Sequence, residues 1–247
     1  MNRLGPLARW RYLLAFLAAA VAIVALALVP TDTRQGVNGV VSSYRLPLYA
    51  KALDFVQRDS MYARLAQRIV PEDAIAEQKA LIVFEWTHKN IRNTPRDLPV
   101  VDDHIAHIII RGYGDPDQKA DVFTTILTYA GVPARWVWLG TGPHLILSLA
   151  WIDRRWRAFD VHNGIVFRTS AGALASVEDL AADPSIVRSV AAERVRSSQP
   201  YTAYFEHFSP PAAPDLLRAE GQMLWPRAFH PLLRLVGLGR REWHEEP

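Results

Sequence analysis

Tyr12 to Val29 runs without a charged residue through Leu, Ala, Val, Ile and Phe, and stops at Pro30. Coiled as a helix at 1.5 Å per residue, it reaches about 27 Å, close to the hydrocarbon thickness of a bilayer. Arg3, Arg9 and Arg11 precede it, and the positive-inside rule keeps that end in the cytoplasm. The expected topology is therefore a single pass through the inner or plasma membrane. Residues 1–11 form a cytoplasmic N-terminus, 12–30 a transmembrane signal anchor, and the rest is periplasmic or extracellular. A cleaved signal peptide is the competing reading, because Ala25-Leu26-Ala27 is a passable small-x-small site. Against it, the apolar run exceeds the ~7–15 residues of a signal core, and large Leu28 and Val29 follow that site.

The 247 residues, half of them hydrophobic, suffice for one sizeable core and are thin for two. The net charge is only +3, with Lys and Arg interspersed among Asp and Glu. No basic stripe marks a nucleic-acid footprint, so nucleic acid is not an expected partner. There is no cysteine, which excludes a disulfide framework, a thiolate zinc site and a cysteine nucleophile together.

Thr31 to Ser43 is polar and carries Gly36 and Gly39, so residues 31–46 read as a linker leaving the membrane. From Pro47 the apolar spacing turns helical, with a break expected near Asp59-Ser60. Pro71 suits the first position of a second helix running towards Ile91. Residues 95–114 look irregular apart from the apolar run Ile108-Ile109-Ile110. Asp115-Pro116 then supplies an N-cap and a first-turn proline, and Gly131 closes that helix. Beyond it the period shortens to strands at 134–139, 145–151 and 156–159, with a hairpin turn at Asp153-Arg154 and a short strand at 165–167. Ser176-Val177-Glu178-Asp179 resembles a capping box and starts a helical stretch to about Val195.

The order of motifs from Ala80 to Phe167 resembles the transglutaminase-like superfamily, a relative of the papain-like cysteine hydrolases. Trp86 with Asn90-Ile91 matches a W-x-x-x-N-I segment, and Arg111-Gly112-Tyr113-Gly114 follows. After the helix from Asp117 comes Gly131-Val132-Pro133-Ala134-Arg135, matching G-I-P-A-R. His144 resembles the histidine of an H-x-W segment, and Trp156 with Asp160 a W-x-x-x-D segment. The resemblance implies an α+β fold with helices packed on a small antiparallel sheet. It also implies a domain over 47–208 with its core at 80–167, leaving 209–247 as a C-terminal extension. The family's chemistry uses a cysteine thiolate at a helix N-terminus, a histidine base and an orienting carboxylate. Carried over by position, His144 takes the histidine place, Asp160 the carboxylate place, and Pro116 the cysteine place. Proline offers neither a nucleophile nor a backbone N–H, so the triad positions Pro116, His144 and Asp160 are expected to be vestigial.

Several other residues admit both a structural and a functional role. Asp115 and Asp117 flank Pro116, but helix capping explains them better than a displaced nucleophile. Asp102, Asp103, His104 and His107 are weak candidate metal ligands, the alternative being a solvated loop beside the cleft. His162 and Asn163 suit a turn or a ligand contact. Trp136, Trp138, Trp151 and Trp156 suit cross-strand packing, with Trp136 and Trp138 on one face. The basic-apolar stretch Met223 to Trp243 fits a bilayer or docking contact or a peripheral helix. No cofactor is expected. The sequence points to a membrane-anchored pseudoenzyme that binds other membrane-associated subunits or a peptide-like ligand. Its rival is an extracytoplasmic hydrolase or acyltransferase on peptide or cell-wall substrates, using a non-cysteine nucleophile or a metal-activated water.

Overall fold

The computed structural model describes residues 6–102, 104–140, 144–191, 201–205, 208, 211, 218–227 and 229. Its first element, α1 (Pro6–Ala27), contains the apolar run as far as Ala27. The window Trp10–Ala27 has a mean hydropathy of 2.0 and buries nothing against the rest of the protein. It is long and apolar enough to cross a membrane.

Where a linker was expected, the chain forms a hairpin of β1 (Pro30–Val37) and β2 (Val40–Pro47), paired in full register from Pro30↔Pro47 to Val37↔Val40. The signal was Asn38-Gly39, whose φ angles of +49° and +79° suit a two-residue turn with both residues left-handed. Asn38 Oδ1 also accepts the Val100 N–H at 2.8 Å. The outer part of β1 pairs with the two-residue strand β4 (Val101–Asp102).

Helix α2 (Leu48–Ile69) runs through Asp59-Ser60 without the expected break. Asp59 does not compete for its own backbone, because its Oδ1 accepts from Tyr129 Oη at 2.8 Å and Leu224 N at 3.2 Å. The next helix, α3 (Ala76–Asn90), begins later than Pro71. Pro71 instead accepts the Ala74 N–H in a turn, and Gln78 Oε1 accepts the Ile75 N–H at the helix start. Nor is the stretch before Asp115 irregular: α4 (Ile105–Arg111) buries Ile105, Ala106 and Ile108 and ends at Gly112, φ +69°. Two-residue strands β3 (Arg92–Asn93) and β5 (Tyr113–Gly114) pair in parallel just before the central helix.

That helix, α5 (Pro116–Tyr129), starts and stops where Asp115-Pro116 and Gly131 place it. It leads into the main antiparallel sheet of β6 (Ala134–Leu139), β7 (Leu145–Ile152), β8 (Arg155–Asp160) and β9 (Ile165–Val166), in that spatial order. The β7–β8 turn has Asp153 and Arg154 at φ +52° and +59°. Trp151 and Trp156 are register partners with ring centroids 5.0 Å apart, the cross-strand pair expected. The last helical stretch is broken at Asp183 into α6 (Val177–Ala182) and α7 (Pro184–Ala191). Proline fits a helix start but not its interior, so Pro184 divides the two. The capping box is present, with Ser176 Oγ accepting the Asp179 N–H at 3.2 Å and Asp179 Oδ2 the Ser176 N–H at 2.8 Å.

Helices lie on both faces of the sheet. Ala150 and Ile152 belong to a core shared with α2, α3, α4 and α5, centred on Tyr62, Val83, Phe123 and Ile126. Leu147 and Leu149 belong to a second core with Trp156, Phe167, Val177, Leu180 and Tyr201. This double cover explains why β7 is apolar along nearly its whole length instead of alternating. The fold is the expected mixture of helices with small antiparallel sheets.

Candidate functional site

The first turn of α5 holds the position that the resemblance assigns to the nucleophile. Asp115 is the extended N-cap residue and Pro116 the first helical residue. Gln118 Oε1 accepts the Asp115 N–H at 3.2 Å and Arg111 Nη2 at 2.9 Å, while its Nε2 donates to Val101 O at 2.8 Å. Arg111 Nη2 also reaches Val101 O at 2.9 Å. A Cβ on Gly114 would lie 3.0 Å from the Gln118 Cβ, a contact tight enough that the glutamine would have to give by a few tenths of an ångström. Helix start, β4 and β5 are thus clamped together by one glutamine and one arginine.

One ionisable group in this turn is out of water and a second is partly so. Lys119 is 2% exposed, and its Nζ donates to Asn93 Oδ1 at 3.0 Å and to His162 O at 3.5 Å. Burial lowers its pKa, and the nearby Asp160 carboxylate opposes that drop. Asp117 is half-buried, and burial pushes its carboxyl above the usual range, with Asp115 and Asp102 adding to the effect.

The three triad positions are dispersed in role. Pro116 sits at the helix tip. His144 is exposed just before β7, its ring edge-on to Trp138 at 5.0 Å and its Nδ1 3.2 Å from Gly140 O. Asp160, at the end of β8, is completely buried. Its Oδ1 accepts the Asn163 N–H at 2.9 Å, and its Oδ2 accepts Asn163 Nδ2 and Tyr201 Oη, each at 2.7 Å. Among the described residues no hydrogen bond joins His144 to Asp160. The imidazole that shares the field of the helix tip is His162. Burial lowers its pKa, then Lys119, with Asp160 and Asp115 acting the other way and His88 adding to the drop. The His162 Nδ1 is buried without a hydrogen-bond partner. His88 closes the group: its Nδ1 lies 3.2 Å from Val161 O, and its ring packs against Gly164.

Lys119 and Tyr201 carry weight here without having been singled out in the sequence. Lys119 could have been noticed, since it falls on the buried side of α5 with Val122, Phe123 and Ile126. Tyr201 could not, being 41 residues from Asp160 with no motif joining them.

Of the candidate metal ligands, Asp102, His104 and His107 are described. Asp102 is an exposed strand end paired with Gly36, and His104 is the N-cap residue of α4 with His107 in its first turn, their rings 6.1 Å apart. Asp103 lies outside the described residues. Among the described residues no group of three or more His, Asp or Glu is placed to hold a metal ion. A separate hollow lies beside the middle of α5, lined by Thr124, Thr125, Ala134 and Trp136. It is roughly 12 Å along the helix from Pro116. Trp136 Nε1 donates to Asp121 Oδ1 there at 2.7 Å, and Arg218 Nη1 lies 3.3 Å from the same oxygen.

Residues 63–161, from α2 to the end of β8, match the family profile described as the transglutaminase-like superfamily. The chain carries a transglutaminase-like domain. The match bears out the resemblance read from the motifs; it does not itself say what residue 116 does. No curated protein matches the chain. Among solved structures, a "putative protease" of Parabacteroides distasonis is similar at 13% identity and a TM-score of 0.34, covering 53% of this chain and 35% of that one. A "putative cysteine protease" of Cytophaga hutchinsonii is similar at 15% identity and a TM-score of 0.37, covering 57% of each chain. This chain therefore spans about a third and somewhat over half of those proteins. Likenesses this distant carry no argument about what the transglutaminase-like domain acts on.

Proposed function

We propose that this protein is a membrane-anchored, catalytically silent transglutaminase-like protein that works by binding. It serves as a scaffold or accessory subunit of a membrane assembly, or as a receptor for a peptide-like chain, with its domain on the extracytoplasmic side. The observation that carries the reading is Pro116 as the first residue of α5, the place the resemblance assigns to the nucleophile. A proline there leaves no attacking atom and no N–H for an oxyanion. Two further observations support it. Asp160 spends both oxygens on Asn163 and Tyr201, and His144 rests on Trp138, so the base lacks its orienting partner.

A second reading, an extracytoplasmic hydrolase or acyltransferase on peptide or cell-wall substrates, draws on Asp117. Its carboxyl is pushed up by burial, one residue beyond the vacant position. Two measurements separate the readings. Extracted from native membranes in mild detergent, the protein is expected to emerge with a partner subunit or a bound peptide; a protein that always emerges alone counts against the binding role. Hydrolysis or acyl transfer on peptide or peptidoglycan substrates is expected to be absent. Turnover that disappears in Asp117→Asn or His144→Ala would overturn the silent reading.

A further inference from the structure

The chain leaves α1 and enters α2 at the same point. Pro30 and Pro47 are register partners at the base of the hairpin, and the Leu48 N–H donates to Val29 O at 2.8 Å. The first residues of α2 therefore stand directly beside the end of the apolar helix. Along these turns Tyr49, Leu53 and Val56 follow i, i+4, i+7 spacing, which places them on one stripe of the helix. All three are exposed, Leu53 at 65%. Beyond Val56 the same stripe continues with Ser60, Ala63 and Arg64, so the apolar character is confined to the end nearest α1.

The C-terminal part of the chain returns to this place. The Leu224 N–H is held by Asp59, and the Arg227 guanidinium stacks over the Phe55 ring at 5.2 Å. That docking presents Trp225 and Phe229 outward, 67% and 50% exposed, with rings stacked at 5.6 Å. An exposed stripe thus stands beside an element long and apolar enough to span a bilayer, and an exposed stacked aromatic pair is carried by the segment docked on Phe55 and Asp59 about two to three turns further along α2.

We propose that this collar of Tyr49, Leu53, Val56, Trp225 and Phe229 is seated in the headgroup layer of the membrane that α1 spans. The inference rests on reading α1 as an anchor. Whatever direction α2 takes, its first nine residues stay within about 13 Å of the point where α1 ends. The polar layer of one leaflet is about 5–8 Å deep. A helix leaving at a shallow angle keeps the whole stripe inside that layer, where Tyr and Trp settle with ring in the apolar zone and polar edge in water. The bilayer is the occupant because it already surrounds the neighbouring turns of α1, so the collar continues that contact. Arg227 is exposed in the same collar, and the Lys51 ammonium caps Asp32 O at its edge, which favours anionic headgroups. The seat fixes which side of the domain faces the lipid.

The test uses the full chain in phosphatidylcholine–phosphatidylglycerol vesicles. Because the protein has no cysteine, a single introduced thiol carries a single fluorophore. Labels are placed at Leu53→Cys and Phe229→Cys, both exposed; at Leu17→Cys inside α1; and at Lys89→Cys, exposed at the far end of α3. Quenching by lipids bearing a shallow spin label is then measured. The Leu53 and Phe229 labels are expected to be quenched at least threefold more than the Lys89 label, with Leu17 reached by deep spin labels. Leu53 or Phe229 quenched no more than Lys89, with Leu17 still quenched at depth, would remove the collar and leave the anchor standing. A Leu17 label beyond the reach of any spin-labelled lipid would remove the anchor, and this inference with it.

Discussion

Asp160 and His162 stand two residues apart, yet burial treats them differently. The carboxylate is taken fully out of water and given three hydrogen bonds, from the Asn163 backbone, the Asn163 amide and the Tyr201 hydroxyl. That set satisfies both of its buried oxygens. Tyr201 responds by holding its proton far above the usual range, through burial and the neighbouring Asp160 charge. His162 is instead left with an unpartnered Nδ1 beside the Lys119 ammonium, so its charged form is disfavoured. The sign of the consequence follows from linkage. The unfolded chain takes up this proton near pH 6.5 while the folded protein resists it, so stability is lost as pH falls below 6.5. His162→Gln is expected to flatten that part of the profile, and urea unfolding between pH 7.5 and 5 checks it. An unchanged slope would mean that His162 protonates freely in the folded state.

At the scale of elements, the hairpin β1–β2 shows how one dipeptide can set a structure. Gly39 has nothing within 4 Å of where a Cβ would sit, but its φ is +79°. Gly39→Val therefore meets no clash, only the left-handed backbone penalty of about 1–2 kcal/mol, larger for a branched side chain. Faster hydrogen exchange of the β1–β2 amides, with the α5 core unaffected, is the expected result. Protection equal to the parent protein's would show that the turn does not set the pairing. This hairpin was hidden in the sequence because the half-buried positions of β1 are Thr31, Thr33 and Gln35 and the apolar residues of β2 do not alternate, so no alternating apolar face announces the strands. By contrast α5 and the strands β6 to β8 were legible, since Asp115-Pro116, Gly131 and Asp153-Arg154 are local signals whose physics is local. The run of α2 past Asp59-Ser60 depends on Tyr129 and Leu224, partners far along the chain, and no window of sequence contains them. The same limit applies to the site. The positions of Pro116, His144 and Asp160 along the elements could be read from spacing, but not that Asp160 would turn to Tyr201.

For the molecule as a whole, the sheet is the partition between two cores, and the pieces that complete them come from opposite ends of the chain. The α2–α5 side is joined to the C-terminal segment through Asp59, whose Oδ1 receives both the Tyr129 hydroxyl and the Leu224 N–H. Tyr129 Oη also lies 2.9 Å from Gln222 O, so its single proton is placed between two acceptors and one small triangle ties α2, α5 and the segment at 220–224. Asp59→Ala would remove the acceptor for two donors at a partly buried junction. A loss of roughly 2 kcal/mol in urea denaturation is expected. A loss below about 0.5 kcal/mol would mean that the C-terminal segment adds nothing to the fold.

The two ends of that junction are 165 residues apart. A ribosome adding about 5–20 residues per second needs roughly 8–33 seconds to make the second after the first. Tyr129 is made 70 residues after Asp59 and answers it first, while the Leu224 N–H follows 165 residues after. A chain released early, or clipped before residue 220, would carry its helices and sheet with the clasp open. The clasp between α2 and the segment at 220–224 can therefore close only once residue 224 has been made.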